Sequence, residues 1–356
     1  MANFTPTNLL QAISKVSERY LSGEWRTPNT AALSTAYLGE KTMPSLSELR
    51  TREDRATYYD FPIRKADAGA TERLYNHSGG RTDSLRTQLT WQTFVDTFSI
   101  SEKQLDNNTM SFDEAFAYGV KNCVYNNLNK ADIWYIAQLL ANATQINYGG
   151  IRGTFNVTDD VMEINADQKD YWKEQIEANM NNNDFMSELL IIADSLSHAD
   201  MVRSLNQGNA NATNLAYQFG SGSLVKTSRT LYSGYNGSAI AVPMDLAGVF
   251  PWIPKQNRKP LDENKAMSYN GDQGVIQVPV LDDKGNVAYT VDAGIHMYAQ
   301  RADTSASNGS KQDRAIFVEI SWDMAFLAAP VSSFRAVDTW AGKADSVVYG
   351  YGLLSS

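Results

Sequence analysis

Three residues of one short stretch, Asp194, His198 and Asp200, have the types and spacing of a metal centre. Residues four apart share a face of a helix, and carboxylate with imidazole suits zinc or manganese. A metal-dependent hydrolase is the activity such a trio would support. Asp194 has a second use, because an aspartate just ahead of a helix accepts hydrogen bonds from its first N–H groups. The capping reading is preferred here, with the metal site as its alternative. The paired acids Asp159-Asp160 and Asp282-Asp283 could bind a cation, although the second pair is adequately explained as turn residues. His77 lies in a glycine-bearing polar loop and His296 between Ile295 and Met297 in an expected strand, so neither has an evident acid–base partner.

Other chemical signatures are missing. There is no Gly-x-x-x-x-Gly-Lys phosphate loop, and Gly220-Ser221-Gly222 lacks the third glycine of a dinucleotide fingerprint, so it reads as a flexible turn. No Gly-x-Ser-x-Gly elbow occurs. The single cysteine, Cys123, cannot form an internal disulfide and sits among apolar residues in mid-helix, where a nucleophile would be poorly presented. Aromatic residues make up 11% of the chain but are not interleaved with basic clusters, as stacking on single strands would require. No catalytic, cofactor-binding or metal residue is assigned, and the chain is read as a non-enzyme.

The elements that would position these residues belong to a sizeable fold. At 356 residues and 43% hydrophobic content the chain can fill one elaborate domain or two modest ones. The net charge of -9, with acids and bases interspersed, argues against tight docking on phosphate backbones or anionic lipid. Contact with nucleic acid should be weak or local. The opening residues, Met1 to Pro6, have no basic region leading into an apolar core, and no later segment has the apolar length to span a bilayer. A soluble protein with no membrane partner is expected.

The first fifty residues carry a short amphipathic pattern (Leu9, Leu10, Ile13, Val16, Tyr20, Leu21) and then drift through Pro28, Pro44 and many Ser and Thr, as an arm would. From Thr51 to Leu89 charge is dense and apolar residues sparse, which predicts a long loop or hairpin. Removal of Arg55 to Arg86 is accordingly expected to leave a folded subunit. Trp91 to Ile100 should be a strand with Phe94, Phe98 and Ile100 on one face and Trp91 and Val95 on the other. Ser111, followed by Asp113 and Glu114, starts a helix running to about Asn142, roughly 45 Å long and apolar on several sides near its end. A second helix is expected at about Asp167 to Asn181, then an apolar strand at Glu188 to Ala193, a turn at Asp194-Ser195 and a short helix at His198 to Leu205. Short strands such as Ser238 to Val242 follow. Val275 to Val280 and Val287 to Val291 flank a hairpin turn at Asp282 to Asn286, and alternation from Ile316 to Met324 predicts a long half-buried strand reaching Pro330. The class is α+β, without internal repeats.

In this order, a polar arm, a charged hairpin loop, a strand feeding a long helix, an α/β insertion and a late long strand resemble the major capsid proteins of tailed bacteriophages, the Hong Kong 97-like capsid fold. The resemblance implies an N-terminal arm over residues 1–50 and an extended loop with its returning strand over 51–100. It implies a peripheral domain with a long spine helix over 101–185, an axial domain over 186–272, and late strands over 273–356 that complete both. Its further implications are self-assembly into hexamers and pentamers of an icosahedral head, with scaffolding, portal and decoration proteins as partners and packaged double-stranded DNA inside. The place implied is the virion, with assembly in the host cytoplasm. The same fold class admits a cellular, encapsulin-like compartment shell, and a tail or baseplate protein is the other virion alternative. No cofactor is implied, and no crosslinking residue is carried over.

Overall fold

Alternating apolar residues build the sheets, and one long amphipathic helix covers the larger of them. The computed structural model describes residues 11, 14–16, 18–19, 22, 30–38, 46–63, 83–101, 111–185, 188–207, 222–254, 272–303, 312–334, 339–340 and 342–355. Its first elements are α1 (Ala31–Ser34), α2 (Leu46–Thr51), β1 (Tyr58–Pro62), β2 (Ser84–Gln88), β3 (Thr90–Ser101) and α3 (Phe112–Asn142). Then come β4 (Gly153–Asn156), β5 (Val161–Ile164), a 3-10 turn and α4 (Trp172–Asn182), β6 (Leu189–Ala193), α5 (Ser195–Gln207) and β7 (Gly222–Lys226). The later strands are β8 (Gly237–Pro243), β9 (Ala247–Trp252), β10 (Asp272–Leu281), β11 (Val287–Asp303), β12 (Gln312–Ala328), β13 (Thr339–Trp340), β14 (Lys343–Ala344) and β15 (Tyr349–Leu353), with a 3-10 turn at Val331–Ser333. The protein is α+β.

β12 organises the larger, antiparallel sheet. One edge of it pairs with β3 from Ala315 to Phe326, while the other pairs first with β11 and then, from Asp323 onward, with β9. β10 completes the sheet beyond β11. Ile316, Val318, Ile320, Trp322 and Met324 are all buried, as their period-two spacing requires. Phe94 of β3 packs against both Trp322 and Trp134 of α3, which places the helix on this face. The 31 residues of α3 begin with a reciprocal cap: Glu114 N–H donates to Ser111 Oγ at 3.3 Å, and Ser111 N–H donates to Glu114 Oε2 at 3.1 Å. Its buried stripe runs through Phe116, Val120, Val124, Leu128, Tyr135 and Leu139. At Gly119 helix and sheet come close, since a Cβ there would lie 2.3 Å from the Phe98 ring. Near the C-terminal end Ile136 and Leu139 are buried but Ile133 is exposed, so that end is covered on fewer sides than its composition predicted.

The smaller sheet has the order β4-β5-β15-β8-β6-β7, with parallel pairs at β15–β5 and β6–β7. β6, β8 and β15 are buried throughout, which explains why the first of them reads as a continuous apolar run. The last strand was not evident from the sequence. It enters the middle of the sheet because Gly352 leaves room for the Tyr235 ring, 2.6 Å from where a Cβ would stand. β4 and β5, expected with the long helix, share this sheet with β6 to β8.

Residues 30–38 differ from the free arm that the Ser, Thr and Pro content suggested. Ala31, Ala32, Leu33, Ala36 and Leu38 are buried, and Leu38 N–H and Ala36 C=O both bond to Val249 of β9. Small side chains let this backbone lie close to its neighbours, and Thr30 Oγ1 donates to Leu281 C=O at 3.0 Å.

Candidate functional site

The residues predicted from sequence as a possible metal centre are turned to separate tasks. Asp194 Oδ1 accepts from Ser197 N–H at 2.8 Å, as a helix cap does, and Oδ2 accepts from Ser238 N–H at 2.6 Å and Ser238 Oγ at 2.9 Å. Asp200 lies 3.6 Å from Arg203, which also pairs with Asp170. Burial holds the His198 imidazole below its usual range, helped by Lys226 and opposed by Asp283. Among the described residues no group of three or more His, Cys, Asp or Glu is placed to hold a metal ion.

The remaining candidates divide similarly. Asp159 accepts from Asn156 Nδ2 at 3.0 Å and Asp160 pairs with Lys343. Asp282 accepts from Lys284 N–H and Asn286 N–H at 2.9 and 2.7 Å, the turn role expected of it. His296 sits in β11 opposite Glu319, and Cys123 is buried, its thiol pushed up to about 12 chiefly by desolvation. Gly222 opens β7, whereas His77, Gly220 and Ser221 lie outside the described residues.

Separate from the two sheets is a hairpin with one face buried, Tyr59 and Phe61 being 7% and 4% exposed. β1 and β2 pair from Tyr58↔Gln88 to Pro62↔Ser84, and among the described residues no other strand joins them. Arg86 Nε donates to Asp60 Oδ1 at 2.9 Å, and its guanidinium lies over the Tyr58 ring. The Arg86 hydrogen bond holds the Asp60 carboxyl below its ordinary range. Both groups are solvated, so the pair adds little stability. Tyr58 and Leu85 are 51% and 41% exposed. A groove of about 610 Å³ between hairpin and α2 is lined by Glu48, Arg52, Asp60 and Arg86 among others.

The hairpin root, by contrast, is built into the larger sheet. Trp91 Nε1 donates to Ala56 C=O at 2.7 Å, Leu89 N–H to Thr57 C=O at 2.9 Å, and Trp252 Nε1 to Arg52 C=O at 3.2 Å. Trp91 also meets Phe250 and Trp252 edge-on. At the centre is Asp323 of β12, only 2% exposed, accepting from Thr93 Oγ1 at 2.5 Å and lying 3.3 Å from Arg55 Nε. Burial raises its carboxyl above the ordinary range, against the opposing pull of Thr93 and Arg55. Arg55 to Thr57 therefore belong to the anchored root, and the excisable part is shorter than the sequence suggested.

A second buried acid joins three other segments. Asp132, 1% exposed on α3, accepts from Leu33 N–H of α1 at 3.2 Å and from Arg229 Nε, after β7, at 3.3 Å. Desolvation raises its carboxyl, opposed by the Leu33 amide and Arg229. Neither acid was singled out from the sequence. The available signal for Asp132 was a carboxylate on an otherwise apolar stripe, between Leu128, Tyr135 and Leu139, whereas Asp323 shares its strand face with Glu319 and Ser321 and is marked only by the apolar run that follows it.

The chain matches no protein-family model and no curated protein by sequence. Among solved structures it is similar to the capsid of Ralstonia phage GP4, at TM-score 0.47 and 8% identity, covering 91% of this chain and 92% of that one. It is also similar to a chain of the cyanophage Pam1 capsid asymmetric unit, at TM-score 0.43 and 11% identity over 86% and 87% of the two chains. A chain of Mycobacterium phage Bobi is similar at TM-score 0.43 and 12% identity over 93% and 92%.

Proposed function

We propose that this chain is the major capsid protein of a tailed bacteriophage, a structural subunit that assembles with copies of itself into the head enclosing the genome. The observation that carries the reading is the succession along the chain of a two-stranded hairpin with a fixed root, β3 and the 31-residue α3. A two-stranded hairpin is marginal in water, and ordering it costs entropy that contacts with a neighbouring copy would offset. Exposed Tyr58 and Leu85 suit such contacts. The five-stranded sheet with α3 would form the peripheral part and the six-stranded sheet the axial part. Scaffolding, portal and decoration proteins would complete the particle, with the acidic wall keeping contacts to packaged DNA weak.

The test is electron microscopy of the purified protein beside a variant in which 64–82 is replaced by Asn-Gly. Ile63 N–H already donates to Asp83 C=O at 3.0 Å, so a two-residue turn closes the hairpin there. Wild type should form polyhedral shells. The variant should keep its circular dichroism and form none. Shells from the variant, or wild-type monomers at high concentration under all conditions, would overturn the proposal. Co-purified protein cargo in place of DNA would point to the cellular compartment.

A further inference from the structure

We propose that Asp323, Arg55 and Thr93 form a latch fixing the direction in which the hairpin leaves the larger sheet. Asp323 occupies a position where β12 has a strand on each side, Trp252 of β9 and Thr93 of β3 being its paired neighbours. The chain entering the hairpin crosses above it and delivers Arg55, while Thr93 belongs to the strand leaving the hairpin. One carboxylate thus holds both limbs at the point where they separate from the sheet. The root is also held by hydrogen bonds to the main-chain carbonyls of Arg52, Ala56 and Thr57.

Of the charges on the surrounding elements, Arg55 is the one paired with Asp323. The incoming limb also carries Arg52, Glu53 and Asp54. On β3 the nearest charged residue along the strand is Asp96, on β12 it is Glu319, and β9 has none. An asparagine would fill the same space without the desolvation of a charge, so the carboxylate contributes position at the expense of stability. Substituting Asp323 by asparagine removes the anion that holds Arg55. The guanidinium, which already lies over Trp252 and is half-exposed, is then free to turn outward with the limb that carries it.

The proposal concerns the subunit and is tested without assembly, so it and the proposed function fail separately. Spin labels at Leu85→Cys on the hairpin and Tyr125→Cys on α3 would report their distance by pulsed electron paramagnetic resonance. Cys123 is buried and is not labelled. The unsubstituted latch should give one narrow distribution, and Asp323→Asn a broad one. Hydrogen exchange at the Leu89 amide should be about tenfold less protected in Asp323→Asn, as loss of a charge-assisted contact implies. Arg55→Gln, which keeps the carboxylate, should behave likewise and serves where Asp323→Asn does not fold. A narrow distribution in the folded variants would overturn the latch.

Discussion

Asp194→Ala separates the two roles its position allows. Two costs can be read from its contacts. Losing the Ser197 cap costs about 1 kcal/mol, and leaving the N–H and hydroxyl of Ser238, itself 1% exposed, facing an empty space costs about 1–3 kcal/mol. The sum, roughly 2–4 kcal/mol, is a large part of the stability of an ordinary domain. Asp194→Asn should lie between, because its carbonyl keeps the cap while its amide meets the Ser238 donors. His198→Ala and Asp200→Ala should each cost under about 1 kcal/mol, as partly exposed positions do. Urea unfolding of the subunit gives these values as shifts in midpoint at constant slope. Zinc and manganese should leave the wild-type midpoint where it is. A site holding either ion would raise stability by about 2.7 kcal/mol at a hundredfold excess over its dissociation constant. Such a rise, abolished in His198→Ala, would refute the capping account and restore the metal centre.

Gly119→Ala gains about 1 kcal/mol of helix propensity but drives a methyl into the Phe98 ring, an overpacking worth about 1–3 kcal/mol. A net loss is expected in urea, reversed to a gain in a Phe98→Ala background; a more stable single variant would mean the ring moves aside freely. Arg229→Ala leaves Asp132 buried without its cation and should cost roughly 2–4 kcal/mol, below the fully buried case because Arg229 is partly solvated. Asp323 titrates above its ordinary range in the fold, chiefly through burial, so folding favours its protonated form. Its stabilising contribution is complete below the unfolded carboxylate pKa and lost as pH rises through the raised value. Asp323→Asn should remove that decline from the stability–pH profile, and an unchanged profile would contradict the assignment. Cys123 should react with a thiol reagent only as fast as the subunit unfolds, and rapid modification of the folded protein would show that its burial is misjudged.

Local rules made much of this fold legible. The cap at Ser111 placed α3 to within a residue, and alternation placed β3, β12 and the β10–β11 hairpin, because in each the apolar period matches the element it forms. Asp194 as a cap was legible for the same reason, its acceptor standing one residue before the helix. What escaped depends on partners distant in sequence. Residues 30–38 look like an arm until Val249 and Leu281 are beside them, and β15 is two tyrosines among glycines until Tyr232 and Tyr235 fill the space those glycines leave.

The two buried acids belong to that second class, and their placement bears on how the subunit would work. A buried acid weakens the element that carries it unless a partner crosses above to bond it. Asp132 is crossed by α1 and by Arg229 of the segment after β7, and Asp323 by the two limbs of the hairpin. Each therefore stands where a separate part of the fold meets the rigid unit of α3 and the larger sheet. Apolar packing alone would join these parts but tolerate sliding, because it has no direction. A charged, hydrogen-bonded contact fixes one angle. If the chain assembles as proposed, angles at these joints would matter more than the strength of the joint. Variants that substitute Asp132 or Asp323 by an isosteric amide should therefore alter assembly geometry before they alter folding, giving irregular shells from stable subunits under the microscope. Regular shells from both variants would show that packing alone sets the angles.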